Sequence, residues 1–186
     1  MNENIISALN EHSKALDKID KNKISLAAEL VKKSLKSGKN IFWCGNGGSA
    51  CDAMHFAEEF TGRFKKNRKA LPVISLTDSS HITCVGNDFG FEYVFQRGVE
   101  AYGLEDDVFI GLSTSGNSVN VFKALEQAKL SNLKTICFLG KSGGSLKGLS
   151  DLEIIVPGSS TDRIQELHML LLHIIIENVE NKLFPD

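Results

Sequence analysis

A chain of 186 residues with 42% hydrophobic and 24% charged residues can bury the core of one globular domain, which excludes disordered and fibrous classes. Its formal net charge of −2 leaves no strongly basic surface for nucleic acid. The most apolar stretch, 167–176, is too short to cross a bilayer, so we expect neither nucleic acid nor a membrane as a partner.

The four cysteines and the first residues point to a cytoplasmic protein. None of the cysteines forms a C-x-x-C pair, and Cys44 and Cys137 fall in apolar runs. Buried, reduced thiols therefore explain them better than disulfides or a zinc knuckle. The starting sequence MNEN lacks the basic and apolar segments of a signal peptide. We expect a soluble, cytoplasmic chain.

Two helices are predicted at the beginning of the chain, because apolar residues recur at helical spacing up to about position 36. Ser37-Gly38 is a helix-stop signal. We therefore predict an N-terminal helical extension over 1–36 that packs on a domain formed by 37–186.

Five short β-rich segments then alternate with helical segments. The predicted strands are 41–44, 72–76, 108–112, 135–139 and 152–156, and a long helix follows over about 161–183. This alternation predicts an α/β fold in which helices cover both faces of a five-stranded parallel sheet. Ligands of such sheets bind beyond the carboxyl ends of the strands. Because 167–176 is so apolar, we expect that helix to be buried on every side, in the core or at a subunit contact.

The loop after the third strand is predicted to hold phosphate or a similar anion. Ser113, Thr114, Ser115 and Ser118 supply four hydroxyl groups within six residues, just before a helix N-terminus. Gly116 allows a positive φ and close approach of a ligand. The alternative is an ordinary turn in which Ser118 caps the helix. A third small-residue cluster, at 142–145, is interpreted as a flexible turn.

A glycine-rich loop, CGNGGS from Cys44 to Ser49, follows the first strand. It does not meet the G-x-G-x-x-G spacing, and no acidic residue ends a second strand about twenty residues later, which disfavours a NAD site. Backbone amides that approach a sugar or a phosphate remain the better interpretation. The region where the acidic residue would lie is instead basic, and we interpret it as a solvated loop; it contains Lys65, Lys66, Arg68 and Lys69.

Two predicted helices carry residues suited to chemistry. His55 and Glu59 are one turn apart after the glycine loop, and Asp162, Gln165 and His173 share one face of the last helix. These side chains suit a divalent metal such as zinc, or an acid/base pair. A buried structural histidine and a surface His/Glu pair are the ordinary alternatives. The position of His55 and Glu59 at the expected binding edge favours a catalytic role.

Five blocks of the sequence together resemble the phosphoheptose isomerases of the sugar isomerase (SIS) domain superfamily, almost from end to end. In chain order they are CGNGGS from Cys44, DAMHFAEE from Asp52, VGNDFG from Val85, STSGNS from Ser113 and DRIQELH from Asp162. The resemblance implies an SIS-type, flavodoxin-like three-layer fold. It also implies an aldose–ketose isomerase that converts D-sedoheptulose 7-phosphate into D-glycero-D-manno-heptose 7-phosphate through an enediol. That reaction is the first step toward the heptose of bacterial surface glycans, such as lipopolysaccharide or capsule.

The resemblance further implies a homotetramer with active sites between subunits and one zinc ion per subunit. It makes Glu59 the base and His173 the acid. The implied zinc ligands are His55, Glu59, Gln165 and His173. The implied substrate contacts are Asn46, Gly47, Gly48, Ser49, Glu59, Asn87, Asp88, Ser113, Thr114, Ser115, Ser118, Asp162 and Gln165.

A non-catalytic function is the alternative from another class. Some proteins of this fold sense sugar phosphates for transcription, and a close relative of the family is an adaptor for the bacterial replication initiator. That adaptor lacks the counterparts of Glu59 and His173, whereas this chain has both. An enzyme is therefore the favoured prediction.

Overall fold

Five parallel strands form one sheet in the order β2-β1-β3-β4-β5. The structure is a computed structural model that describes residues 3–185, so the first two residues of the predicted extension lie outside the described part. The strands are β1 (Ile41–Cys44), β2 (Val73–Ser75), β3 (Val108–Ser113), β4 (Lys134–Gly140) and β5 (Leu152–Val156). The predicted parallel sheet is confirmed.

Helices cover both faces of this sheet. They are α1 (Glu3–Lys18), α2 (Lys21–Lys36), α3 (Gly48–Thr61), α4 (Ser79–Asp88), α5 (Gln96–Tyr102), α6 (Val119–Leu130) and α7 (Thr161–Leu183). Side chains alternate along β1, so that Ile41 and Trp43 join the core beneath α2, α3 and α7, while Phe42 and Cys44 join the core beneath α5 and α6. The predicted three-layer α/β fold is thereby confirmed. No helix within residues 3–185 is both long and apolar enough to serve as a transmembrane span.

The direction of the chain across the sheet locates the binding crevice. From β1 the chain first adds β2 on one side and then returns to place β3 on the other side of β1. Loops that leave β1 and β3 therefore diverge to opposite faces and open a crevice between them. The glycine-rich loop follows β1 and the serine-rich loop follows β3, so these two loops are the expected walls of that crevice.

The helical extension packs on the rest of the chain to different degrees. Helix α2 buries five residues and contacts α7, whereas α1 buries only Ala15 among its described residues. Leu9 of α1 stays 67% exposed. The boundary at residue 36 stays a prediction.

The last helix is not buried on every side in the single chain. Leu171, Leu172 and Ile175 are buried, but Leu170 and Ile174 are 40% and 43% exposed. The apolar composition of 167–176 predicted burial without indicating which face meets the sheet. His168 is buried in this helix, and burial lowers its pKa to about 4, so its ring is a neutral core group that bonds to the carbonyl of Leu139.

The interpretation of the basic run as a solvated loop is wrong for Arg68. Its side chain is only 2% exposed, and Nε donates to Oε1 of Glu180 at 3.0 Å. The guanidinium also donates to the carbonyls of Glu59 and Phe60, both at 2.6 Å, at the end of α3. The partner of Arg68 lies 112 residues away. The basic run in the sequence therefore did not indicate the pairing of Arg68 with Glu180.

Removing this buried cation should destabilise the fold. Arg68→Met leaves Glu180 buried without its cation, and we expect a loss of about 3–5 kcal/mol in the free energy of unfolding. Lys65→Met breaks the exposed pair with Glu177 and should cost less than about 1 kcal/mol. Urea unfolding of both variants measures the difference. Equally small losses would contradict a structural role for the Arg68–Glu180 pair.

Candidate active site

Three side chains from two helices converge at the binding edge. His55 and Glu59 lie one turn apart on α3, and His173 faces them from α7. The Nε2 atoms of His55 and His173 are 3.2 Å apart, and Nε2 of His55 is 3.4 Å from Oε1 of Glu59. One ligand atom from each residue lies within 4.8 Å of the others.

This donor set fits a zinc ion. Two ligand atoms bound at about 2.1 Å in a tetrahedral site lie about 3.4 Å apart, close to the separations observed from His55. Two imidazoles and a carboxylate are also ligands that zinc accepts. Glu59 is less exposed than His55: 15% of the Glu59 side chain is accessible, against 39% of the His55 side chain. The arrangement therefore suits a partly enclosed cation that is still reachable from the crevice.

Aromatic rings hold the two histidines in place. Phe56 meets both rings edge-on, with centroids 5.3 Å from His55 and 5.2 Å from His173. Phe64 stacks on His173, with centroids 5.9 Å apart and an angle of 18° between the planes. Because these contacts restrict ring rotation, the two Nε2 atoms are kept facing one another.

Gln165 lies two turns before His173 on α7 and reaches the glycine-rich loop. Its carboxamide covers Gly48 so closely that a Cβ built on Gly48 would lie 2.1 Å from Nε2. The absence of a side chain at Gly48 therefore makes room for the Gln165 carboxamide, in addition to any room that it leaves for a ligand. Gln165, Asp162 and Asp52 also line one cavity of about 370 Å³.

Asp52 is a residue that the sequence reasoning did not select. It is fully buried on α3, and burial raises its pKa to about 6 against the opposing effects of Gln165 and His55. Among the described residues, neither carboxylate oxygen of Asp52 has a hydrogen-bond partner. The side-chain amide of Gln165 nevertheless favours the ionised form of Asp52. The only signal in the sequence was its position one turn before His55, on the same face of the helix.

The serine-rich loop is arranged around hydroxyl groups. The Oγ atoms of Ser113 and Ser118 are 2.9 Å apart, and the Ser115 hydroxyl accepts from the amide of Asn117 at 3.1 Å. Ser118 occupies the N-cap position of α6, but its side chain makes no capping hydrogen bond. The ordinary capping explanation therefore does not account for this serine. Its hydroxyl joins the loop, which leaves the first amides of α6 without a side-chain acceptor from Ser118.

The cluster at 142–145 is not the flexible turn that we expected. The Ser145 amide donates to Oδ1 of Asn117 at 2.9 Å, and the Leu146 amide donates to the Gly116 carbonyl at 3.0 Å. A Cβ on Gly116, whose φ is +68°, would lie 2.0 Å from the Gly143 carbonyl oxygen. This segment therefore supports the serine-rich loop from behind. The contact joins two separate βα loops, which spacing along the chain does not reveal.

Some expected site residues lie apart from the cluster. Asn87 and Asp88 are exposed at the end of α4, where the Asn87 amide donates to Asp88 at 2.7 Å. Asp162 is exposed at the start of α7, and hydrogen bonds from Ser160 and Arg163 lower its pKa to about 2. The structure thus brings together His55, Glu59 and His173, places Gln165 against Gly48, and leaves Asn87 and Asp88 on the surface of the single chain.

Sequence and structure comparisons agree on the family. The model of the SIS domain family matches residues 6–140. A phosphoheptose isomerase of Fusobacterium nucleatum is 62% identical over 159 residues, which are 86% of this chain and 82% of that protein.

Two solved structures support the same assignment. The phosphoheptose isomerase of Neisseria gonorrhoeae superposes with a TM-score of 0.88 at 38% identity, over 96% of this chain and 98% of that one. The phosphoheptose isomerase of Francisella tularensis gives 0.91 at 34% identity, over 97% and 96%. With the sheet order, the crevice and the His/Glu/His cluster described above, these matches show that the chain belongs to the phosphoheptose isomerases of the SIS domain family.

Proposed function

We propose that this chain converts D-sedoheptulose 7-phosphate into D-glycero-D-manno-heptose 7-phosphate. The observation that carries the proposal is the convergence of His55, Glu59 and His173 within 4.8 Å at the sheet edge that also bears the serine-rich loop. One loop would hold the phosphate while the two helices act at the other end of the sugar. A non-catalytic sensor or adaptor would not require the Glu59 and His173 side chains to meet in this way.

The reaction moves one proton between neighbouring carbons. Glu59 removes a proton from C1, beside the C2 carbonyl, and the electron pair left behind forms an enediol with a proton added to the carbonyl oxygen. Return of a proton to C2 and loss of the O1 proton then give the aldehyde. Nε2 of His173 faces His55 at 3.2 Å, so we assign proton exchange with the sugar oxygens to the other ring nitrogen of His173, Nδ1. No redox cofactor is needed for these steps.

A zinc ion fits the site, and His55, Glu59, Gln165 and His173 would hold it. When bound, it would polarise the carbonyl and stabilise negative charge on the sugar oxygen. Oε1 of Glu59 faces His55 at 3.4 Å. The second carboxylate oxygen of Glu59 is thus the one that we assign to proton removal.

The phosphate is assigned to the hydroxyls of Ser113, Thr114, Ser115 and Ser118 and to the start of α6. The Ser115 hydroxyl accepts a hydrogen bond from the backbone N–H of Asn117, which leaves the hydroxyl proton of Ser115 for a ligand oxygen. One of the two paired hydroxyls of Ser113 and Ser118 likewise keeps a proton for the ligand. The helix N-terminus adds a favourable dipole for an anion. Binding at this distant group orients the sugar for reaction at its first two carbons.

The proposal also includes a homotetramer in the cytoplasm, with active sites between subunits. Exposed apolar side chains of α1 and α7, including Leu9, Leu170 and Ile174, are available for subunit contacts. Asn87 and Asp88 are exposed in the single chain, and we assign them to a site shared with a neighbouring subunit. The heptose product would supply surface glycans.

Glu59→Gln should abolish turnover while leaving substrate binding intact. The amide keeps the shape of the side chain but cannot accept the C1 proton, so kcat should fall by about 10²–10⁴-fold. Proton NMR of the ketose gives the rate, and calorimetry gives the affinity. Glu58→Gln, at the exposed neighbouring position, is the matched control and should keep full activity. Full activity of Glu59→Gln would remove Glu59 from the role of base.

Ser115→Ala should raise KM more than it lowers kcat. The variant loses a hydrogen bond to a charged group, and the expected rise in KM is about tenfold or more. Ser131→Ala at the other end of α6 is the control, because it removes a hydroxyl far from the crevice. Initial rates over a range of substrate concentrations separate the two parameters. An unchanged KM would place the phosphate elsewhere.

Gly48→Ala should displace Gln165 with little effect on the fold. The new Cβ would collide with the end of a flexible side chain, which can rotate away, and alanine is compatible with a helix start. We expect kcat/KM to fall to the level of Gln165→Ala, with the midpoint of thermal unfolding unchanged within a few degrees. The double variant should be no worse than either single one. Retention of full activity would show that the contact between Gly48 and Gln165 is not needed.

A further inference from the structure

The two walls of the crevice are joined by a pair of side-chain amides. Nδ2 of Asn46 donates to Oδ1 of Asn120 at 2.8 Å, and Nδ2 of Asn120 donates back to Oδ1 of Asn46 at 2.8 Å. Asn46 belongs to the glycine-rich loop after β1, and Asn120 lies in the first turn of α6 after β3. Asn120 was not among the residues that the sequence selected.

Asn120 is the fixed member of this pair. It is only 3% exposed, and its Oδ1 also accepts from the amide of Val121 at 2.9 Å. Asn46 is partly exposed at the crevice. Each carboxamide has two N–H groups and two acceptor sites, so the reciprocal pair leaves Asn46 one N–H and one acceptor site for another partner.

The amide pair lies between two parts of the proposed active site, the phosphate site and the residues that act on the sugar carbons. Helix α6 begins at the serine-rich loop, which is assigned to the phosphate, and α3 begins at Gly48 and carries His55 and Glu59. The amide pair connects the start of one helix to the loop that starts the other. It therefore sets the spacing between the phosphate site and the residues that act on the first carbons of the sugar.

We propose that Asn120 is a positioning residue, which orients Asn46 toward a sugar hydroxyl and fixes the glycine-rich loop relative to the phosphate site. The proposal rests on the proposed function for the identity of the ligand. Asn120 acts through Asn46 and does not itself touch the substrate. The loss of the Asn120 side chain should therefore lower kcat/KM and substrate affinity only when Asn46 is present.

A double-mutant cycle tests this dependence. Asn46→Ala, Asn120→Ala and the double variant are compared with wild type for kcat/KM and for equilibrium binding of D-sedoheptulose 7-phosphate. We expect each single variant to lose about tenfold in kcat/KM, which corresponds to about 1.4 kcal/mol, and the double variant to lose little more than one of them. Gln127→Ala removes an amide at the far end of α6, where it bonds to Ser131, and should keep wild-type values.

A second variant covers the case in which Asn120→Ala does not fold. Asn120→Asp keeps an oxygen that can accept from the backbone N–H of Val121 and replaces the donor to Asn46 with a charged acceptor. The effect of its added charge on the phosphate is common to both Asn46 backgrounds and cancels from the cycle, so the remaining coupling is the part that acts through Asn46.

The outcomes separate the two proposals. Independent losses that multiply in the double variant would show that Asn120 acts on the fold alone and would overturn the positioning role. If wild type binds the ketose phosphate but does not convert it, the proposed isomerase function fails, and the binding cycle decides on Asn120 by the same criterion. Absence of binding by wild type would overturn both.

Discussion

The Nε2 atoms of His55 and His173, 3.2 Å apart, form the contact on which the site depends. Two lone pairs at that distance repel each other unless a proton or a cation lies between them. The Glu59 carboxylate beside them adds negative charge and favours the cation. The remaining features of this region keep α3 and α7 close enough to maintain that contact.

Buried contacts behind the site supply this restraint. Arg68 donates to the carbonyls of Glu59 and Phe60 at the end of α3, and it is paired with Glu180 on α7. The helix that carries the proposed base is therefore tied to the helix that carries His173. At the other end of α3, the amide of Asn46 ties the glycine-rich loop to α6. Both ends of the helix are thereby fixed, one relative to His173 and one relative to the serine-rich loop.

The sequence predicted those features of the fold and the site that depend on the local pattern of residues. Alternating strands and helices gave the parallel sheet, and the small residues after β1 and β3 indicated the crevice. Arg68, Asn120 and the segment 142–145 were missed or misinterpreted, because each acquires its role from a partner on another element of the fold. His55, Glu59 and His173 were selected, yet spacing alone left metal binding and acid/base chemistry as alternatives. The convergence of their ligand atoms in the structure favours a shared cation.

The most direct test of this account is turnover of D-sedoheptulose 7-phosphate, followed by proton NMR, as zinc is removed with a chelator and then returned. The account predicts one zinc ion per subunit by elemental analysis, loss of isomerisation on chelation and recovery when zinc is restored. His55→Ala, which removes one proposed ligand, should bind zinc weakly and should not recover. Wild-type protein that leaves the ketose unchanged in the presence of zinc, or that works equally well without any metal, would contradict the account.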